Sequence, residues 1–317
     1  MVRVGIDLGG TNIVAGVVDD SYTILATAKR KTNLPRPAEE IIRDMAELTR
    51  EAVEKANMTM NEVRYVGVGC PGTCNQDTGI VEYSNNLQFH KVPLRDDLSR
   101  LTGKPVYIEN DANAAALGEA LAGAGKGTNS CVCITLGTGV GSGVVLNGKI
   151  LTGCTGGAAE LGHMVVEDGG ALCACGRKGC FETYASATGL IRMAKEAMAQ
   201  HPESLLHATA AEVGDVNGQT IFRAKEQGDP TAVAVVERYI HYLSVGIANV
   251  INCFYPEVVA LSGGIANQGE ALLAPLREAV APQVYGNQYL QTHTRILGCT
   301  LGYHAGIIGA AMLPTAL

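Results

Sequence analysis

The sequence predicts an α/β protein of two related lobes, on three observations. A strand, a Gly/Thr turn and a second strand are written twice, at residues 3–18 and 130–149. Short apolar strands alternate with amphipathic helical segments along the rest of the chain. A length of 317 residues, 47% of them hydrophobic, suffices for a sizeable core and two domains. In the repeat, Ile6-Asp7-Leu8-Gly9 matches Ile134-Thr135-Leu136-Gly137 in register. Two copies do not make a solenoid. They make two glycine hairpins, whose bare N–H groups can face one anionic ligand.

The elements follow in order. After the first hairpin, Ile41, Ile42, Met45, Leu48 and Val53 fall on one face of a helix over 38–57. Strands are expected at 63–69 and 106–108, the second followed by an Ala-rich helix to about residue 122. Residues 123–127 read as a break and hinge before the second hairpin, and 153–183 as irregular chain rich in Gly and Cys. Helices are expected at 186–200, 203–213, 217–227 and 230–252. A strand at 258–261 ends in Ser262-Gly263-Gly264 and precedes a further helix; a strand near 295–297 and a helix at 303–313 close the chain. The expected division is 1–114 plus 303–317 against 115–302.

Composition narrows the function. The net charge is −7 and no Lys/Arg run is present, which argues against nucleic acid as a partner. No uninterrupted apolar stretch reaches 18 residues and the N-terminus reads as a strand, so neither membrane association nor a targeting signal is expected, and the cytoplasm is the simplest location. Ten cysteines in such a chain read as thiols or metal ligands. Trp is absent and aromatics make up 5%, so the core must be Val, Ile, Leu and Ala.

Three sets of residues carry chemistry. In the hairpins, Gly9, Gly10, Thr11 and Asn12, and then Gly137, Thr138 and Gly139, present N–H groups and hydroxyls to phosphate, while Asp7 can hold a metal ion through water. An ordinary hairpin turn is the plain alternative for one copy, and the second copy weighs against it. Asp111 follows a strand and opens a helix; it reads either as a cap or as a general base for a substrate hydroxyl. His163, Cys173, Cys175 and Cys180 form a Cys₃His set suited to a closed, structural Zn²⁺ site. Glu160, His163 and Glu182, braced by that loop, suit recognition of several hydroxyls, and Asn85 and Asn86 can add donors. Two lookalikes carry nothing. Gly67-Val-Gly-Cys-Pro-Gly72 runs into loop rather than helix, and the P-loop-like Gly125-Lys126 lacks both the opening glycine (Ala120) and the closing Ser/Thr (Gly127).

These motifs together resemble the ROK family of sugar kinases and repressors, and among them the bacterial glucokinases. The carriers are Asp-Leu-Gly-Gly-Thr-Asn at 7–12, Glu-Asn-Asp-Ala-Asn at 109–113, Leu-Gly-Thr-Gly-Val-Gly at 136–141, Glu-Leu-Gly-His at 160–163, Cys-x-Cys-Gly-x-x-Gly-Cys-x-Glu at 173–182 and Leu-Ser-Gly-Gly at 261–264. The resemblance implies a duplicated actin-like (ribonuclease H-like) fold with two lobes around a cleft. It implies ATP with Mg²⁺, a structural Zn²⁺, and phosphoryl transfer to the 6-hydroxyl of a hexose, with glucose favoured. It assigns Asp111 as base, and Asn86, Asn110, Glu160, His163 and Glu182 to the sugar. It puts Gly10, Thr11, Asn12, Thr138 and Gly139 at the phosphates, Gly264 by the adenosine, and His163, Cys173, Cys175 and Cys180 on zinc. A homodimer is implied as well. Asn12 stands where many members carry Lys, which takes one phosphate-directed charge from the loop. Other sugars (N-acetylmannosamine, fructose, allose), a polyphosphate donor and a non-catalytic sugar sensor are the alternatives.

Overall fold

The computed structural model describes residues 1–316. Its first half is built on the first hairpin. Strand β1 (Val2–Leu8) pairs antiparallel with β2 (Asn12–Val18), which pairs antiparallel with β3 (Ile24–Lys31). Helix α1 (Ala38–Lys55) follows, then β4 (Val63–Cys70), parallel to β1. A small meander of β5 (Thr73–Asn75), β6 (Ile80–Ser84) and β7 (Phe89–Val92) comes next. It leads through α2 (Leu94–Thr102) to β8 (Val106–Asn110), parallel to β4, and on to α3 (Asp111–Ala122).

The second half opens with β9 (Ser130–Leu136), β10 (Val140–Leu146) and β11 (Lys149–Ile150). After the irregular 153–180 come α4 (Phe181–Ala185), α5 (Ala187–Gln200), α6 (Leu205–Val213), α7 (Gly218–Glu226) and α8 (Pro230–Phe254). Then come β12 (Val258–Ser262), α9 (Glu270–Val280), β13 (Arg295–Gly298) and α10 (His304–Met312). The two five-stranded sheets run β3-β2-β1-β4-β8 and β11-β10-β9-β12-β13, so the repeat seen in the hairpins extends strand for strand through both sheets.

Contacts divide the chain into Met1–Cys133 with Gly143–Ala159 and Cys299–Leu317, and Ile134–Ser142 with Glu160–Gly298. The boundary expected at 114 falls inside α3. That helix packs along α10 and both belong to the first unit, so its whole length stays there. The strand β3 and the β5–β7 meander carry no clean apolar alternation and had no expected element. Residues 73–75, expected as loop, are β5.

One face of the first sheet is apolar: Ile6, Leu8, Ile13, Ala15 and Ala28 bury against Ile41, Ile42, Met45 and Leu48 of α1. The other face is nearly bare. Gly5 and Gly67 lie under α10 so closely that a β-carbon on either would strike a carbonyl oxygen, of Ile307 or Ala310. A β-carbon on Gly309 of α10 would strike the Ala114 carbonyl of α3. Replacing Gly309 by Ala therefore forces backbone apart, and a loss of about 1–3 kcal/mol or more is expected in urea unfolding. An unchanged midpoint and slope would show that the two helices do not depend on this contact.

Candidate active site

In the first unit, the predicted residues gather at the carboxyl ends of β1, β4 and β8. Asp7 pairs in register with Gly69 of β4. A β-carbon on Gly69 would lie 3.5 Å from the Asp111 Cα, so the glycine makes room for the start of α3. Burial, and then the nearby Asp111 carboxylate, push the Asp7 acid up to about 6. Gly306 of α10 covers Asp7 from above: its β-carbon would sit 3.1–3.3 Å from the carboxyl atoms.

The cap of α3 is Asn110. Its Oδ1 accepts the Ala112 and Asn113 N–H groups at 2.9 and 3.2 Å, and its amide nitrogen donates to the Gly72 carbonyl at 3.1 Å. Asp111 also accepts the Ala112 N–H, at 2.9 Å, from inside the first turn. Behind them lies a group that sequence reasoning missed. Glu109 is fully buried and accepts from Asn113 Nδ2 (3.0 Å), the Asn110 N–H (2.7 Å) and Gln76 Nε2. Burial raises its acid strength threshold above the usual carboxylate range, and the Asn113 and Asn110 bonds oppose that. A charged residue inside an otherwise apolar strand was the available signal. Asn86 lies exposed in the β6–β7 turn, where no described contact joins it to the others. The turn at Gly9–Asn12 is closed by Gly9 N–H donating to the Asn12 carbonyl at 2.9 Å.

In the second unit the metal-type cluster is compact. The ligand atoms of His163, Cys173, Cys175 and Cys180 all lie within 4.8 Å of one another. Cys173 Sγ is 3.8 Å from His163 Nδ1, and Cys175 Sγ is 3.6 Å from Cys180 Sγ. Tetrahedral Zn²⁺ with bonds of about 2.3 Å spaces its sulfurs by about 3.8 Å, so this donor set fits that ion. Coordination through Nδ1 leaves the His163 Nε2 pointing away as a donor. Glu182, on α4, joins the cluster to the second hairpin: one oxygen accepts the Val140 N–H at 3.0 Å and the other the Cys173 thiol at 3.5 Å. The carbonyls of Gly137 and Thr138 are held by Ala187 N–H and Thr188 Oγ1, both at 2.8 Å. Leu161 N–H donates to Ser142 Oγ, which ties exposed Glu160 to the strand leaving that hairpin. Gly264 follows Gly263, which lies against the Leu136 backbone with φ near 90°.

A profile of the ROK family matches residues 3–316. The chain belongs to the ROK family. It is 40% identical to the glucokinase of Thermotoga maritima over 311 residues, covering 98% of this chain and 96% of the relative. A ROK family glucokinase from Streptomyces griseus, solved with glucose and AMPPNP, superimposes with a TM-score of 0.77 at 37% identity, covering 99% of each chain. A ROK hexokinase from Thermus thermophilus gives 0.80 at 34% identity, covering 100% of this chain and 98% of the other. The fold is thus the duplicated actin-like α/β fold of these enzymes. Among the described residues no helix is long and apolar enough to cross a membrane.

Asp7 makes a prediction about pH. In the unfolded chain its acid ionises near 4, in the folded protein near 6. Protonated Asp7 is thus favoured by folding, so its contribution is complete below about pH 4 and is lost as pH rises to about 6. The loss amounts to about 3 kcal/mol at most. Asp7→Asn should be more stable than the parent above pH 6 by up to that amount, and should flatten this part of the stability profile. A variant that keeps the parent's slope between pH 4 and 6 refutes the assignment.

Proposed function

We propose that the protein is an ATP-dependent hexose kinase converting glucose to glucose 6-phosphate. The observation that carries this is Asp111 at the first turn of α3 beside Asp7, in a chain 36–40% identical to glucokinases over nearly full length. Phosphoryl transfer asks mainly for positioning and charge neutralisation. Asn86, Asn110, Glu160, His163 and Glu182 bind the sugar hydroxyls. Asp111 accepts the proton of the 6-hydroxyl as that oxygen bonds to the γ-phosphorus, and the bond to the β–γ bridging oxygen breaks to release ADP. Gly9, Gly10, Thr11 and Asn12, with Gly137, Thr138 and Gly139, hold the phosphates, and Gly264 lies by the adenosine.

Asp7 would hold Mg²⁺ through water, the ion supplying charge neutralisation to the phosphates. His163, Cys173, Cys175 and Cys180 would hold Zn²⁺, which fixes the loop bearing the sugar-binding side chains. A homodimer, on the resemblance alone, and a cytoplasmic location, on the sequence reading above, complete the proposal.

A general base contributes about 10²–10⁴ in rate. Asp111→Asn should therefore lose that much turnover in a coupled ADP-release assay while glucose binding by calorimetry stays close to the parent's. Near-normal turnover would remove Asp111 from the role. A panel including N-acetylmannosamine, fructose, allose and a polyphosphate donor checks the substrates. For the metal, elemental analysis should find one zinc per chain, and Cys175→Ser should lose it together with glucose affinity. Active protein free of zinc, with unchanged glucose affinity, contradicts the zinc site.

A further inference from the structure

The turn of the first hairpin offers N–H groups but no positive charge, since residues 9–12 are Gly, Gly, Thr and Asn. Asn12 Oδ1 is buried without a hydrogen-bond partner. Directly opposite Asn12, on β3, stands Lys31. Cross-strand partners project to the same side of a sheet, and sides alternate residue by residue. Asp7 pairs with Val14, two residues from Asn12, so Asp7, Asn12 and Lys31 share one face. That is also the face on which Asp111 approaches Asp7.

The backbone of Lys31 is tied to the turn by its neighbour. Thr32 N–H donates to the Thr11 carbonyl at 2.9 Å, and Thr32 Oγ1 donates to the Gly9 carbonyl at 2.6 Å. The Lys31 side chain itself is exposed and makes no hydrogen bond or ion pair among the described residues. Two cations nearby are already neutralised, Arg30 by Asp44 and Glu47 at 2.5 and 2.7 Å and Arg36 by Asp44 at 2.5 Å, while Lys29 stands opposite Val14, two residues farther from the turn than Lys31. Paired β-carbons stand about 5 Å apart, and the lysine stem spans that distance readily.

We propose that Lys31 is the phosphate-binding cation of the first hairpin, its ammonium donating to the polyphosphate of a nucleoside triphosphate and to the Asn12 amide oxygen. The inference rests on the kinase reading above for the identity of the anion. It names a residue outside the turn, brought there by strand register.

Hydrogen bonds to charged groups contribute about 1.5–3 kcal/mol, so Lys31→Ala should raise the KM for ATP at least tenfold and leave the KM for glucose near the parent's. Calorimetric binding of a non-hydrolysable ATP analogue, without sugar, should weaken by a similar factor. Lys31→Arg should retain most of the affinity. Asn12→Lys should restore ATP affinity to the Lys31→Ala chain, because it returns a cation to the same spot from the opposite strand. Lys29→Ala, on the same face but farther from the turn, should change neither constant. Unchanged analogue binding in Lys31→Ala and Lys31→Gln overturns the proposal, as does an equal loss of glucose and ATP affinity. If the parent releases no ADP with any sugar, the kinase reading falls while the analogue measurement still decides the role of Lys31.

Discussion

What places Asp111 beside Asp7 is a set of missing side chains. On the inner face of β1 and β4 the residues at 5, 67 and 69 are glycines; α10 meets the sheet through Gly306 and the backbone of Ile307 and Ala310, and meets α3 through Gly309. Backbone therefore lies against backbone, and α3 begins directly over the strand ends. Burial first, and then the neighbouring Asp111 carboxylate, disfavour the charged form of Asp7, which is why it titrates near 6. A cation beside the pair would relieve that repulsion.

The duplicated sheet puts the same hairpin to a different use. Where the first copy has Asp7, the second has Thr135, whose hydroxyl bonds to Ser262 at 2.9 Å instead of adding a carboxylate. The second turn is held from outside, through Glu182, Ala187 and Thr188. Glu182 also touches Cys173. The phosphate-type turn and the cysteine knuckle are consequently one mechanical piece within their unit, and whatever orders the knuckle orders the turn.

Much of this was legible because it is contiguous. The hairpins, the Cys₃His loop and the strand–helix junction at 109–111 each occupy a dozen residues or fewer, and the structure brings the four knuckle ligands together. What escaped depends on distance or register. Glu109 finds Gln76 33 residues earlier, across a turn whose strands are too short to alternate visibly. Lys31 faces Asn12 only because the β2–β3 connection has the length it has, and one residue more would send it to the α1 face. The unit boundary was misplaced for a similar reason: α3 reads as the start of something new along the chain, whereas its partner α10 lies at the far end.

The junction at 109–111 also separates structural from chemical duties by charge. A helix start needs an acceptor, and Asp would serve as well as Asn. Asp at 110, however, would put a third carboxylate near Asp7 and Asp111 and add to their mutual repulsion. Neutral Asn110 caps α3 and still donates to the Gly72 carbonyl, which Asp could not do. Glu109 is the carboxylate that can be tolerated, because it is fully buried and three donors surround it. The order Glu-Asn-Asp thus grades from buried anchor through neutral cap to the carboxylate beside Asp7, and permuting it would spoil the charge balance even where the hydrogen bonds could be remade.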